Sequence, residues 1–385
     1  MLPLFAFITI QTGFDGGSLG RIEKVAETHY RLGAKGDVDQ DKRNRQANWY
    51  YFRVDGAKAG SKLTLDMVDL PGEYNYKPNR GAIQKETPPV ISYDNEHWKH
   101  LETSTYDADE PKLRLEVTPA AARFWIAHVA PYTDVHLDRL RQRAKKHMAF
   151  REEKIGKSVQ GRDLFLWTIE PVGPARKTVW LMFRQHSWES GSSYAGEGAV
   201  LELLENEALR RGVRWKIFPF CDPDGVARGN VRFNVNGFDL NRNWDVEDTV
   251  KMPEIASQRN AIRKWLEQGH KIDLFYSLHN TETGEYLEGP PGKEHVALAE
   301  RFFAALISKT SFHPSRRLSF STASTTEGMR GRMNVVQGLY NEWKLPAFLM
   351  EQRISFNEKL KRLPLPEDRI RFGRELVAAI GKAVE

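Results

Sequence analysis

The sequence predicts two parts of different class. An antiparallel β-sandwich domain over residues 1–130 precedes an α/β domain over residues 131–385, whose mostly parallel mixed sheet is flanked by helices. Three observations carry this. Short runs before residue 130 alternate apolar and polar residues with period two, the signature of strands with one face buried. After Pro131, wholly apolar strands alternate with helical patterns, as in sheets covered on both faces. At 385 residues and 40% hydrophobic content, the chain can also build two cores without covalent staples.

In chain order, the first strand is expected over Phe5–Ile10, in place of a signal peptide, because no basic region or small-residue cleavage site accompanies it. Trp49–Val54, Ser61–Met67 and Leu113–Val117 follow as strands, bounded by turn signals such as Asp55-Gly56 and Pro71-Gly72. The charged, glycine-containing stretch Gly33–Gln46 reads as an exposed loop. Thr133 or Asp134 caps a helix running to about His147. Buried strands are expected at Thr178–Phe183, Trp215–Phe218, Ile272–Leu278 and Ala347–Met350. Helices are expected at Gly198–Glu207, Glu254–Gln268, Glu294–Ser308 and Pro366–Val384.

Composition removes several function classes. No apolar run approaches the roughly 18–20 residues that span a bilayer, so no membrane partner is expected. A single cysteine, Cys221, excludes an internal disulfide and a thiolate zinc cluster and points to a reducing compartment, the cytoplasm. The net charge of +6 permits acidic partners. The basic residues Arg139, Arg141, Arg143, Lys145 and Lys146 are spread around their helix without interleaved aromatics, which argues against nucleic acid.

In a parallel sheet, ligand chemistry collects at the carboxyl ends of the strands. Thr178–Phe183 runs into Arg184-Gln-His186-Ser-Trp-Glu189, Ile272–Leu278 ends in His279, and Ala347–Met350 ends in Glu351. Between them lies the polar run Asp239-Leu-Asn-Arg-Asn-Trp244. Two imidazoles and one carboxylate leave a fourth zinc position open, the arrangement of catalytic sites. Taken singly, each has a plainer explanation: a hydrogen-bonded core His186, a solvated Glu189, a strand-end His279, or a Glu351 paired with Arg353. Three strands each ending in a suitable residue make coincidence a poor account.

The order HxxE, DxNRNW, strand–His, strand–Glu resembles the zinc metallocarboxypeptidases of the funnelin type, over about residues 131–385. Glu153–Leu164 looks like the segment opening that family's catalytic domain. Asp222-Pro-Asp-Gly225, Gly229-Asn-Val-Arg232 and the β-rich N-terminal part with Trp49–Val54 resemble its cytosolic carboxypeptidase branch, which includes deglutamylating enzymes. The resemblance implies one Zn2+ per chain on His186, Glu189 and His279, and Glu351 as general base and acid. It implies Arg232 as the group polarising the scissile carbonyl, Asn241 and Arg242 as the clamp on the substrate's terminal carboxylate, and Asp239 behind His186. Peptide or protein C-termini are the implied substrates.

The chain departs from that pattern in places. Ser187-Trp188 stands where Pro-Gly is usual, and the bulky Trp188 is expected to narrow the cleft. The family's mobile tyrosine has no counterpart that can be assigned, Tyr340 lying too close to Glu351. Arg228 competes with Arg232 for the electrophilic role, with the spacing from Gly229-Asn230 favouring Arg232. Arg330 and Arg332, near Glu327, are expected to wall the side-chain pocket and favour acidic residues. Two alternatives stand beside the peptidase: an N-acyl amino acid deacylase on the same fold, and a non-catalytic module that binds peptide C-termini.

Overall fold

The computed structural model describes residues 7–322 and 330–385. The N-terminal part consists of two five-stranded sheets face to face. One runs Thr9–Gln11, Tyr51–Asp55, Arg123–Ala127, Val90–Ser92, Lys99–His100; the other Ser104–Asp107, Lys112–Val117, Leu63–Val68, His29–Gly33, Ile22–Ala26. All pairs are antiparallel except His29–Gly33 with Leu63–Val68, which is parallel. Of the expected first strand, Phe5 and Ala6 lie outside the described residues, and pairing begins at Thr9.

Alternation explains how the two parts meet. Tyr50, Phe52 and Val54 point between the sheets, onto Leu65, Met67, Leu115 and Phe124. Their neighbours Trp49 and Tyr51 point the other way, into a second apolar cluster with Tyr132, Trp188, Tyr194, Phe220 and Val231. Side chains of a strand alternate faces, so one segment serves two cores. Trp188 is thereby buried at the junction, with one edge on the cleft.

The second part holds an eight-stranded mixed sheet: Phe150–Lys157, Asp163–Ile169, Arg211–Phe218, Val172–Phe183, Leu274–Thr281, Ala347–Arg353, Tyr286–Gly289, Ser319–Phe320. The four central strands, Arg211–Phe218 to Ala347–Arg353, are mutually parallel. Helices Asp134–Ala144, Ser190–Glu205, Pro253–Glu267, Val296–Lys309 and Pro366–Val384 accompany it. Helix Ser190–Glu205 starts eight residues before the expected Gly198. Its glycine- and serine-rich first half has weak intrinsic propensity. Packing against Pro366–Val384 overrides this: a Cβ at Gly198 would lie 1.9 Å from the Ile370 carbonyl oxygen, so glycine is what lets the helices close. The stretch Gly33–Gln46 also differs from expectation. Asp39, Asn44 and Gln46 are buried, and the loop packs against the second part.

Candidate active site

The register of the central strands gathers the site. In the parallel pair Leu274–Thr281 and Ala347–Arg353, His279 lies directly beside Glu351. The adjacent strand Val172–Phe183 delivers His186 on the loop beyond its carboxyl end, and Glu189 sits at the N-cap of the following helix. His186 Nδ1 is 2.6 Å from Glu189 Oε1, and His279 Nδ1 is 3.0 Å from Glu189 Oε2. All three side chains are buried. Among the described residues, they form the one group of three whose donor atoms lie within 4.8 Å of one another.

The far side of each imidazole decides its tautomer. Asp239 Oδ1 accepts from His186 Nε2 at 3.0 Å. Gln185 Oε1 accepts from His279 Nε2 at 2.9 Å, with its amide turned so that Nε2 donates to the Leu240 carbonyl at 2.8 Å. Protons held on Nε2 leave both Nδ1 lone pairs facing the Glu189 carboxylate. Acceptors then face acceptors, an arrangement that a cation resolves. Glu189 Oε2 and His279 Nδ1 have no hydrogen-bond partner, and two nitrogens with one carboxylate are a donor set zinc favours. The residues fit a zinc ion.

His186 and Glu189 open onto a cavity of about 520 Å3 that also presents Arg232, Asn241, Arg242 and Glu351. Burial, reinforced by the Glu189 charge, pushes the Glu351 carboxyl well above the usual range, and its Oε2 has no partner. Arg232 Nε donates to Asp239 Oδ2 at 2.7 Å. Arg228 is exposed at the end of the short helix Pro223–Arg228 and does not line the cavity, so only Arg232 of the two reaches it. Asn241 Oδ1 accepts from the Val335 amide at 3.1 Å.

Two arginines are placed otherwise than expected, and Tyr340 stays outside the site. Arg330 and Arg332 line an adjoining cavity of about 380 Å3 on the far side of Arg242, not the one holding His186 and Glu351. Glu327 lies outside the described residues. Tyr340 donates to Glu294 Oε1 at 3.0 Å, away from the cleft.

Several residues of the site escape sequence reasoning. Gln185 and Ser277 back His279, Ser277 Oγ donating to Gln185 Oε1 at 2.9 Å. Ser277, two positions before His279, necessarily shares its face, which was the available signal. Tyr74, Gln46 and Asn48 come from the N-terminal part. Tyr74 lies on the hairpin Gly72–Tyr74/Lys77–Asn79, and its hydroxyl accepts from Arg242 Nη2 at 3.2 Å. No local pattern marks a contact across 168 residues.

Comparison with known proteins agrees with this geometry. The model of the zinc carboxypeptidase family matches residues 136–287, and that of the cytosolic carboxypeptidase N-terminal domain matches residues 10–129. The fold is that of a metallo-carboxypeptidase from Burkholderia cenocepacia (TM-score 0.83, 21% identity, 98% of this chain and 99% of that one). A metallo-carboxypeptidase from Pseudomonas aeruginosa, solved with (2-guanidinoethylmercapto)succinic acid, gives TM-score 0.82 at 21% identity, over 98% of this chain and all of the other. Residues 136–287 thus form a zinc carboxypeptidase domain, the domain of a peptidase that uses zinc.

The domain before it is of the kind found at the N-terminus of cytosolic carboxypeptidases. Mouse cytosolic carboxypeptidase 6 is 28% identical over 73% of this chain, which spans 54% of that protein's length. An uncharacterized protein of Zymomonas mobilis is 25% identical over 98% of this chain and 97% of its own. No helix among the described residues is long and apolar enough to cross a membrane.

Proposed function

We propose that the protein removes single residues from the C-termini of peptides or proteins in the cytoplasm, with residues 131–385 as the catalytic domain and 1–130 as an N-terminal sandwich domain. One observation carries this reading: in the buried His186–Glu189–His279 group His279 stands beside Glu351, and His186, Glu189 and Glu351 share a cavity with Arg242 and Arg232. His186, Glu189 and His279 hold one zinc, which when bound acidifies water and polarises a carbonyl. Asn241 and the Arg242 fork hold the substrate's terminal carboxylate, which restricts the enzyme to chain ends. Arg232, oriented by Asp239, turns its remaining N–H groups to the scissile carbonyl oxygen. Glu351 takes a proton from the attacking water and returns it to the leaving amine.

The side chain of the released residue reaches a different wall from the one expected. Glu288 shares a sheet face with Glu351, because Tyr286–Gly289 pairs antiparallel with Ala347–Arg353 and brings Glu288 opposite Leu349. Asn334, Gln337, Ser321 and Thr322 complete this end of the cavity. No lysine or arginine lines it among the described residues, and residues 323–329 contain neither. An acidic preference therefore keeps only the family resemblance as support, and the wall favours neutral polar or basic side chains.

Matched peptides ending in Lys, Glu and Phe, together with N-acyl amino acids, test both levels. Release of single C-terminal residues, lost to a chelator and restored by zinc, is expected, with Lys released ahead of Glu. Glu351→Gln should keep its zinc and lose about 10²- to 10⁴-fold in kcat. Unchanged turnover would remove Glu351 from the mechanism, and hydrolysis of N-acyl amino acids alone would make the enzyme a deacylase.

A further inference from the structure

We infer that Asp37, in the N-terminal part, is a positioning residue for Arg232. The inference rests on the role proposed for Arg232 above. Asp37 is held by a two-way backbone bridge to Gln46, each amide donating to the other's carbonyl at 2.9 Å. From there its side chain crosses to the second part, where Oδ2 accepts from the amides of Val231, Arg232 and Phe233 at 3.0, 2.9 and 3.2 Å. Three successive N–H groups converging on one oxygen form a concave anion site in the backbone, and a carboxylate is its natural occupant. Four residues beyond Phe233, the same segment is pinned again, by the Gln40 amide donating to the Gly237 carbonyl at 3.0 Å.

The consequence runs inward through named atoms. The backbone of 231–233 sets the origin of the Arg232 side chain, whose Nε reaches Asp239 Oδ2. The other oxygen of Asp239 holds His186 Nε2. Asp37 touches neither substrate nor metal ligand. It determines where the guanidinium stands and which of its edges is left for the carbonyl. Without an acceptor at Asp37, three amides at the junction lose their partner, and the cheapest relief is a shift of the segment that carries Arg232. The N-terminal part is then a component of the catalytic machinery, because it fixes the electrophilic arginine from outside the catalytic domain.

The zinc-loaded full chain tests this with Asp37→Ala and Asp37→Asn, each also made in an Arg232→Ala background. Expected is a kcat at least 30-fold lower for Ala and about 3- to 10-fold lower for Asn, with KM within threefold and zinc content unchanged. In the Arg232→Ala background neither substitution should lower kcat further. The Arg232 Nε–H signal in 15N NMR should move in Ala and less in Asn. Equal loss in both backgrounds, or unchanged kcat in Ala, overturns the inference. If Ala does not fold, the Asn variant decides, and wild-type kcat with an unmoved Arg232 signal overturns it. A wild type that releases no C-terminal residue refutes the proposed function instead, and the NMR signal still decides whether Asp37 positions Arg232.

Discussion

The two halves of the cleft are built in opposite ways. His186, His279 and Glu351 stand at the ends of adjacent strands, and sheet register places them. Arg232, Asn241 and Arg242 stand on the loop between helix Pro223–Arg228 and helix Pro253–Glu267, and contacts from the N-terminal part hold that loop: Asp37 on 231–233, Gln40 on Gly237, Tyr74 on Arg242. The proposed metal-binding half rests mainly on sheet register, with Asp239 and Leu240 of the loop reaching behind its imidazoles, whereas the proposed substrate-binding half takes its rigidity from the N-terminal part. Damage to the junction should therefore impair substrate handling while leaving the metal in place.

The sharpest break of this contrast is His279→Ala. It should abolish stoichiometric zinc and turnover, yet leave the proposed clamp of Asn241 and Arg242 able to bind a product peptide, as metal analysis and calorimetry would show. Loss of peptide binding in the same variant would mean that the two halves are not separable. Gln185→Ala is milder, removing the acceptor behind His279, and should weaken zinc affinity by about 10- to 100-fold in a competition titration.

Gly237→Ala attacks the other half. Gly237 has φ +84°, and a Cβ there would stand 2.6 Å from the Gln40 amide nitrogen. Left-handed strain and the clash together should cost about 1–3 kcal/mol of stability and reduce kcat/KM, with zinc content still one per chain. Metal loss in this variant would contradict the division.

The smallest expected effect is on pH dependence. Burial pushes the Asp37 carboxyl up to about 6, outweighing the three amides that favour its ionised form. Its folded pKa exceeds the unfolded value, so the native state binds more protons between about pH 4 and pH 6. This group's contribution to stability therefore falls as pH rises through that window. Denaturant titrations at several pH values should show a slope in the wild type that is shallower in Asp37→Asn.

What could be read from the residues follows the same division. His186, His279 and Glu351 were legible because parallel strands end where ligands bind, and the structure brings all three together. The loop 33–46 was read as exposed, which holds for its tip Gln40–Arg43 but not for Asp39, Asn44 and Gln46, since charge and glycine look alike whether solvent or another part of the chain receives them. Asp37, Asp39 and Asn44 satisfy partners that no local period announces. Arg330 and Arg332 were placed in the right segment but on the wrong wall, because sequence position does not settle which side of Arg242 a side chain takes. The early start of helix Ser190–Glu205 was hidden for a related reason: its glycines answer to another helix and not to local propensity.

The segment Trp49–Phe52 has one further implication, for cooperativity. Its odd and even side chains belong to different cores, so neither part can melt without exposing aromatic surface of the other. Heat or denaturant should unfold the chain in one transition, with no folded half surviving. A single-residue insertion there would exchange the two sets of side chains and disrupt both cores at once. Lengthening or shortening this strand is open to the protein only in steps of two.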